Sequence, residues 1–239
     1  MSRGSPVIYI PGILGSQLYL PEDGKKLWFS APAVLTDAKR LDIQSELSVK
    51  NNGVNLQNVS LLEKEYGVLK QDVFLVEWVC RTMPDSPVYF FSYDFRKSCR
   101  DNAKLLNKQI EELVSEGHSL VNIVCHSMGG LVTSAYAAKY GTIRLGKVVM
   151  LGVPFEGSYE IINTYMTGDI IMVPNAVADT VGITRDILRG FQSLAELMPS
   201  VRHLEASPLV KFGVPMSVGD MEDFLYSLAP ETYADGRVF

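Results

Sequence analysis

The stretch Leu120-Val121-Asn122-Ile123-Val124-Cys125-His126-Ser127-Met128-Gly129-Gly130-Leu131-Val132 decides the fold. Residues 120–125 form an apolar run of the length of a buried strand, and residues 128–140 read as a helix rich in small side chains. No loop separates the two, so the chain has to turn sharply at Ser127. A serine on such a strand-to-helix turn needs small neighbours two positions away, as in the G-x-S-x-G pattern. Gly129 meets that need on one side, and on the other Cys125 stands where the pattern has glycine. A thiol is small enough for the place. Gly129, Gly130, Ala135, Ala137 and Ala138 let the helix lie close to a sheet, and its first amides favour negative charge. The alternative is a tight Ser-Met-Gly-Gly turn without chemistry.

Outward from this stretch the alternation continues. Residues 7–10 read as a buried strand closed by Pro11-Gly12, residues 88–91 as a second, and 147–151 as a further strand closed by Gly152. Residues 72–80 are helix-like. Asp101 reads as an N-cap, followed by Leu105, Leu106, Ile110, Leu113 and Val114 at helical spacing, with Gly117 as the stop. Strands alternating with helices predict an α/β fold with a mostly parallel sheet flanked by helices. Residues 18–58 are mixed and read as an irregular insertion with a short helix after Ser30. Beyond Gly157 the pattern loosens into short helices over 183–189, 191–197 and 220–228.

The 239 residues suit one domain with a sizeable core, and 47% hydrophobic with 21% charged residues is an ordinary globular balance. A net charge of −5 excludes a basic nucleic-acid field and opposes tight adsorption on anionic membranes. No apolar stretch has transmembrane length, and the opening residues are too short and polar for a signal peptide, so a cytoplasmic location is expected. Cys80, Cys99 and Cys125 are odd in number and widely spaced, neither a disulfide framework nor a zinc pattern. Reduced thiols are expected, with a Cys80–Cys99 bridge as the alternative. Nothing calls for a metal or an organic cofactor.

If Ser127 is a nucleophile, two backbone N–H groups should converge on the oxyanion it generates. Met128, the next residue, supplies one. The loop Pro11-Gly12-Ile13-Leu14-Gly15-Ser16 supplies the other, with Ile13 as the donor, unless that loop is an ordinary glycine turn. A serine hydroxyl also needs a base, normally a histidine oriented by a carboxylate. Of His118, His126 and His203, only His203 follows Ser127. It is the candidate base, with Asp169, Asp179 or Asp186 behind it; the alternative is a solvated or capping histidine beside Arg202 and Glu205. Asp220 follows the apolar run 214–218, but no histidine comes after it.

Separated segments resemble one family. Pro6-Val7-Ile8-Tyr9-Ile10-Pro11-Gly12-Ile13-Leu14-Gly15-Ser16-Gln17-Leu18 is similar to the opening of the lecithin:cholesterol acyltransferases and their relatives, the lysosomal phospholipase A2 and phospholipid:diacylglycerol acyltransferase enzymes. Ser92-Tyr93-Asp94-Phe95-Arg96 resembles their Tyr-Asp-Trp-Arg element with Phe for Trp, and His126-Ser127-Met128-Gly129-Gly130 resembles their nucleophile turn. Gly152-Val153-Pro154-Phe155-Glu156-Gly157-Ser158 and Leu197-Met198-Pro199-Ser200 resemble two later segments, the last of them in the cap.

The resemblance implies an α/β-hydrolase core with a lid within 18–66 and a cap over 157–230. It implies an acyl-enzyme on Ser127, loaded from a glycerolipid or other acyl ester and discharged to an alcohol or water. Transient contact with a lipid surface is compatible with it. In the family the acid and histidine lie beyond the cap, so the last core strands are expected to be missing here. Trp28 and Phe29 would grip acyl chains or pack under the lid, and Asp94 and Arg96 would form a buried structural pair. A lipid-binding remnant without activity and a general carboxylester or triacylglycerol lipase are the alternatives.

Overall fold

Short runs that are apolar at every position bury both faces of a strand, which suits the interior of a parallel sheet covered by helices. The computed structural model describes residues 4–28, 30, 37–50, 52–54, 57–59, 62, 70–169 and 185–228. They divide between two units, one of residues 1–29, 47–95 and 99–153, the other of 30–46, 96–98 and 154–239.

The first unit carries strands β1 (Val7–Ile10), β2 (Leu18–Tyr19), β3 (Lys26–Trp28), β4 (Asn52–Val54), β5 (Val88–Phe90), β6 (Val121–His126) and β7 (Leu145–Leu151). Its main sheet has the order β4-β5-β1-β6-β7, parallel except for β4, which pairs antiparallel with β5. β1 lies in the middle with all four residues fully buried. Tyr9 stands opposite Phe90 on one side and Val124 on the other, and Ile10 stands opposite Cys125. These pairings bring the ends of β1 and β6 side by side. β7 is an edge strand, and its Val148, Val149 and Met150 stay exposed. Among the described residues no strand continues the sheet beyond it.

Helices α1 (Lys70–Thr82), α2 (Cys99–Ser115) and α3 (Met128–Tyr140) complete the unit. α2 buries Ala103, Leu106, Ile110 and Leu113, the three-and-four spacing expected of one apolar face, and packs on α3. α1 adds Val76 and Val79 to a core shared with Val7, Tyr9, Val88, Phe90 and Val124.

Two expectations need correction. α2 begins at Cys99, so Asp101 lies inside its first turn, where a carboxylate still favours the helix dipole, and does not cap it. The stretch 18–58 is not simply irregular: β2 and β3 form a small antiparallel pair, and β4 extends the main sheet. These strands are two or three residues long, too short to show a period of two.

The second unit carries a 3₁₀ turn at Ala38–Leu41 and helices α4 (Tyr159–Thr167), α5 (Arg185–Arg189), α6 (Gln192–Glu196), α7 (Val201–Ala206) and α8 (Val218–Leu228). A hairpin of β8 (Val210–Lys211) and β9 (Val214–Pro215) lies between α7 and α8. The fully buried Arg96 organises one part of it, its guanidinium donating to the carbonyls of Leu41, Asp42 and Ser45. Asp94, in the first unit, is buried as well. Gly157, at φ 75°, lies so close to Met198 that a Cβ there would stand 2.1 Å from its carbonyl oxygen. Ser158 N–H donates to Leu197 O, and Ser200 N–H to Glu156 O, which binds the two later family-like segments together. Among the described residues, no helix is long and apolar enough to cross a membrane.

Candidate active site

β6 runs into α3 with only Ser127 between them, and the whole turn falls on that residue. Ser127 has φ 50° and ψ −125°, a conformation that costs a non-glycine residue on the order of 1–3 kcal/mol. Its N–H donates to Leu151 O at 2.9 Å and its carbonyl accepts from Gly130 N–H at 3.0 Å, so the strain is held from both sides. Other serines among the described residues stand at helix starts as well. Ser158 and Ser200 take extended backbones, and their side chains accept from the amides of Glu160 and His203. Ser127 does neither: its backbone is at positive φ and its side chain makes no cap bond. It is half-buried, not enclosed.

The glycines explain how the turn fits. A Cβ on Gly129 would lie 2.5 Å from Ile10 O and 2.6 Å from Pro11 O, so α3 packs directly on the end of β1. A Cβ on Gly130 would lie 2.2 Å from the side chain of Val153. A Cβ on Gly12 would meet Ser127 Cβ at 2.9 Å and Oγ at 3.4 Å, which puts the loop 11–16 against the serine. Cys125, in the place of the motif's glycine, is fully buried and its thiol donates to Val149 O at 3.5 Å. Burial pushes that thiol above its ordinary range.

The loop is fastened through its carbonyls. Tyr93 Oη donates to Pro11 O at 2.8 Å, Gly15 N–H to Gly12 O at 3.1 Å and Trp28 Nε1 to Leu14 O at 3.1 Å. Ser16 Oγ accepts from Tyr93 N–H at 3.0 Å. Among the described residues, the N–H groups of Ile13 and Met128 have no acceptor, as first-turn and loop amides often do not. Trp28, expected to grip an acyl chain or pack under a lid, is buried with its indole against Phe95. Phe29 lies outside the described residues.

Sequence reasoning missed a buried carboxylate beside this turn. Asp72, in the first turn of α1, has no exposed surface. Its Oδ1 accepts from Tyr9 Oη at 2.5 Å and lies 3.2 Å from His126 Nδ1. Burial, and then the Asp72 carboxylate, push the Tyr9 phenol far above its ordinary range. Tyr93 is pushed up too, chiefly by burial. The partners are 63 and 54 residues away from Asp72, so no local pattern could have linked them.

His203 lies in the second unit. Its Nδ1 is 2.9 Å from Glu156 O, and its ring meets Tyr159 edge-on at 4.6 Å between centroids. Of the acids considered behind it, Asp169 contacts Asn163 at 3.5 Å, Asp186 lies in the first turn of α5, and Asp179 is outside the described residues. Asp220 lies in the first turn of α8, where its side chain accepts from Ser217 Oγ at 2.6 Å and its N–H donates to the same hydroxyl, so it belongs to a helix start and does not end a strand. The second unit also has a mostly apolar cavity of about 720 Å³, lined by Ile162, Met166, Leu209, Met216 and Phe224 among others.

Comparison with known proteins gives this geometry a context. The family model "Lecithin:cholesterol acyltransferase" matches residues 57–216. The chain is 23% identical over 245 residues to lecithin-cholesterol acyltransferase-like 4 of Arabidopsis thaliana, covering 88% of this chain and 44% of that one. It therefore spans less than half the length of that relative. Among solved structures it resembles a chain of the Tle4-Tli4 complex, with a TM-score of 0.65 and 18% identity over 99% of this chain and 66% of that one. The agreement is one of fold.

Proposed function

This chain belongs to the lecithin:cholesterol acyltransferase family, of the α/β-hydrolase superfamily, and we propose that it takes an acyl group from a glycerolipid ester onto Ser127 and passes it to an alcohol or to water. The observation that carries the reading is Ser127 itself, held at φ 50° with a hydroxyl that does not cap its helix. Strain of this kind persists only where surrounding contacts impose it, and it concentrates at reactive sites.

In the first half-reaction Ser127 Oγ bonds to the ester carbonyl carbon while a base takes its proton. The carbonyl oxygen becomes an oxyanion, received by the N–H groups of Ile13 and Met128. Collapse breaks the bond to the leaving alcohol, which collects the proton. The second half repeats these steps with an acceptor hydroxyl or water as nucleophile. Among the described residues no histidine is hydrogen-bonded to the Ser127 hydroxyl, and on the resemblance to the family we assign the base and its acid to the part of the family fold outside the residues spanned here. In this reading the lid lies within 18–66 and the cap over 157–230. Trp28, hydrogen-bonded to the loop, supports the site.

The absence, among the described residues, of a base hydrogen-bonded to the Ser127 hydroxyl favours a second reading, a chain that binds acyl esters without turning them over. A fluorophosphonate probe separates the two. Stoichiometric labelling that is lost in Ser127→Ala supports the enzyme. A protein that carries the assigned base and acid and still takes no label refutes the acyl-enzyme and leaves the binding reading. Products formed from a labelled phospholipid, with and without an added alcohol, then distinguish transfer from hydrolysis.

A further inference from the structure

Asp72 is an acid that the proposed chemistry does not use, yet it stands at the meeting point of everything that shapes the turn. It belongs to α1, it accepts from Tyr9 near the end of β1, and it contacts His126 at the end of β6. Its other oxygen, Oδ2, is buried without a hydrogen-bond partner and lies 3.4 Å from where a Cβ on Gly15 would stand. The loop backbone thus passes directly over the carboxylate. His126 completes the connection, because a Cβ on Gly12 would stand 3.3 Å from its Nδ1 and 3.4 Å from Ser127 Oγ.

We propose that Asp72 is a positioning residue that, through Tyr9 and His126, fixes the loop 11–16 against the turn at Ser127 and so sets the rate of acylation. The inference rests on the reading of Ser127 as the nucleophile. Its physical basis is the cost of burying a carboxylate, which is met by hydrogen bonds or not at all. The contact at 3.2 Å joins His126 Nδ1 to Asp72 Oδ1 and orients the imidazole ring. The phenol of Tyr9, held neutral by its burial, donates to the same oxygen. Three elements far apart in sequence are thereby tied at one point beneath the site. Hydrogen bonds of this kind hold reacting groups to within fractions of an ångström, where a misplacement of about 1 Å can cost a hundredfold in rate.

The test uses the full chain and its Asp72→Asn, Tyr9→Phe and His126→Gln variants. Two quantities are read: the fluorophosphonate reaction at Ser127, split into kinact and KI, and amide hydrogen exchange of residues 12–16. The expected result is a kinact lower by tenfold to a hundredfold at unchanged KI in Asp72→Asn, a smaller fall in Tyr9→Phe, and exchange at residues 12–16 at least tenfold faster in both. Variants that label at the wild-type rate, or lose only KI, overturn the proposal. If Asp72→Asn does not fold, Tyr9→Phe and His126→Gln carry the same comparison. If the wild-type protein takes no label, the nucleophile reading fails separately, and exchange decides the tie: faster exchange upholds it, unchanged exchange sinks it.

Discussion

Replacing Gly129 by alanine tests whether the close approach of α3 to β1 is what shapes the site. The added Cβ would stand 2.5 Å from Ile10 O and 2.6 Å from Pro11 O. Both are main-chain atoms, so no side chain can rotate away. A real Cβ essentially never comes nearer than 3.0 Å, so the helix start and the strand end must separate by at least half an ångström. Forcing atoms into a well-packed place costs about 1–3 kcal/mol. Alanine in a helix returns about 0.5–1 kcal/mol relative to glycine, which leaves a net loss of up to ~2.5 kcal/mol. The same displacement moves Pro11, the first residue of the loop, away from Met128. It should slow acylation of Ser127 by tenfold or more, on the scale at which ~1 Å costs a hundredfold. Urea denaturation measures the first effect and fluorophosphonate labelling the second. Gly219→Ala calibrates the helix gain, since nothing lies within 4 Å of its Cβ position in α8. That variant should be stabilised by about 0.5–1 kcal/mol. A Gly129→Ala protein that shares its stability gain and labels at the wild-type rate would refute the packing argument.

Three further outcomes are expected. Arg96→Ala removes the donors to Leu41 O and Ser45 O and one of the two to Asp42 O, which keeps Ser45 N–H, and should cost about 2–3 kcal/mol by thermal melting; Arg96→Lys should not restore it, because one ammonium cannot match the fork. The Cys125 thiol, raised by burial, should resist Ellman's reagent at pH 8 in the native protein and react once urea unfolds it, and rapid native reaction would contradict its burial. Tyr9 has its phenol raised in the folded state, so below pH ~10 both states keep the proton and above it the unfolded chain ionises first. Stability should therefore fall as the pH rises past about 10, and the urea midpoint of Tyr9→Phe should fall less between pH 9 and 11 than that of the wild type.

What the sequence made legible was what depends on neighbours along the chain. The strand at 7–10 and the helix at 128–140 appear with the expected bounds, because each is a continuous local pattern. The sharp turn at Ser127 followed from the absence of any loop between strand and helix. The approach of the loop 11–16 to that turn was expected from the need for a second amide donor after the first strand, and the parallel neighbours β1 and β6 bring the two ends together. The start of α2 was not, because Asp101 is as suitable inside a first turn as before it. Neither was β4, whose Asn-Gly-Val carries no strand signal and gains its pairing only from β5.

The support beneath the site shows why such features escape a linear reading. Asp72 looks like any acid near a helix start, and Tyr9 like any aromatic in a core strand. Each would be unremarkable alone. Burial turns them into a requirement: a carboxylate with no exposed surface must find donors, and the fold offers it a phenol from β1 and an imidazole from β6. Those two donors belong to the strands whose ends carry the loop and the serine. Satisfying the acid and aligning the site are therefore one structural event. A substitution that frees the carboxylate from its donors must disturb the loop as well, even though Asp72 never touches the reacting atoms in the proposed mechanism.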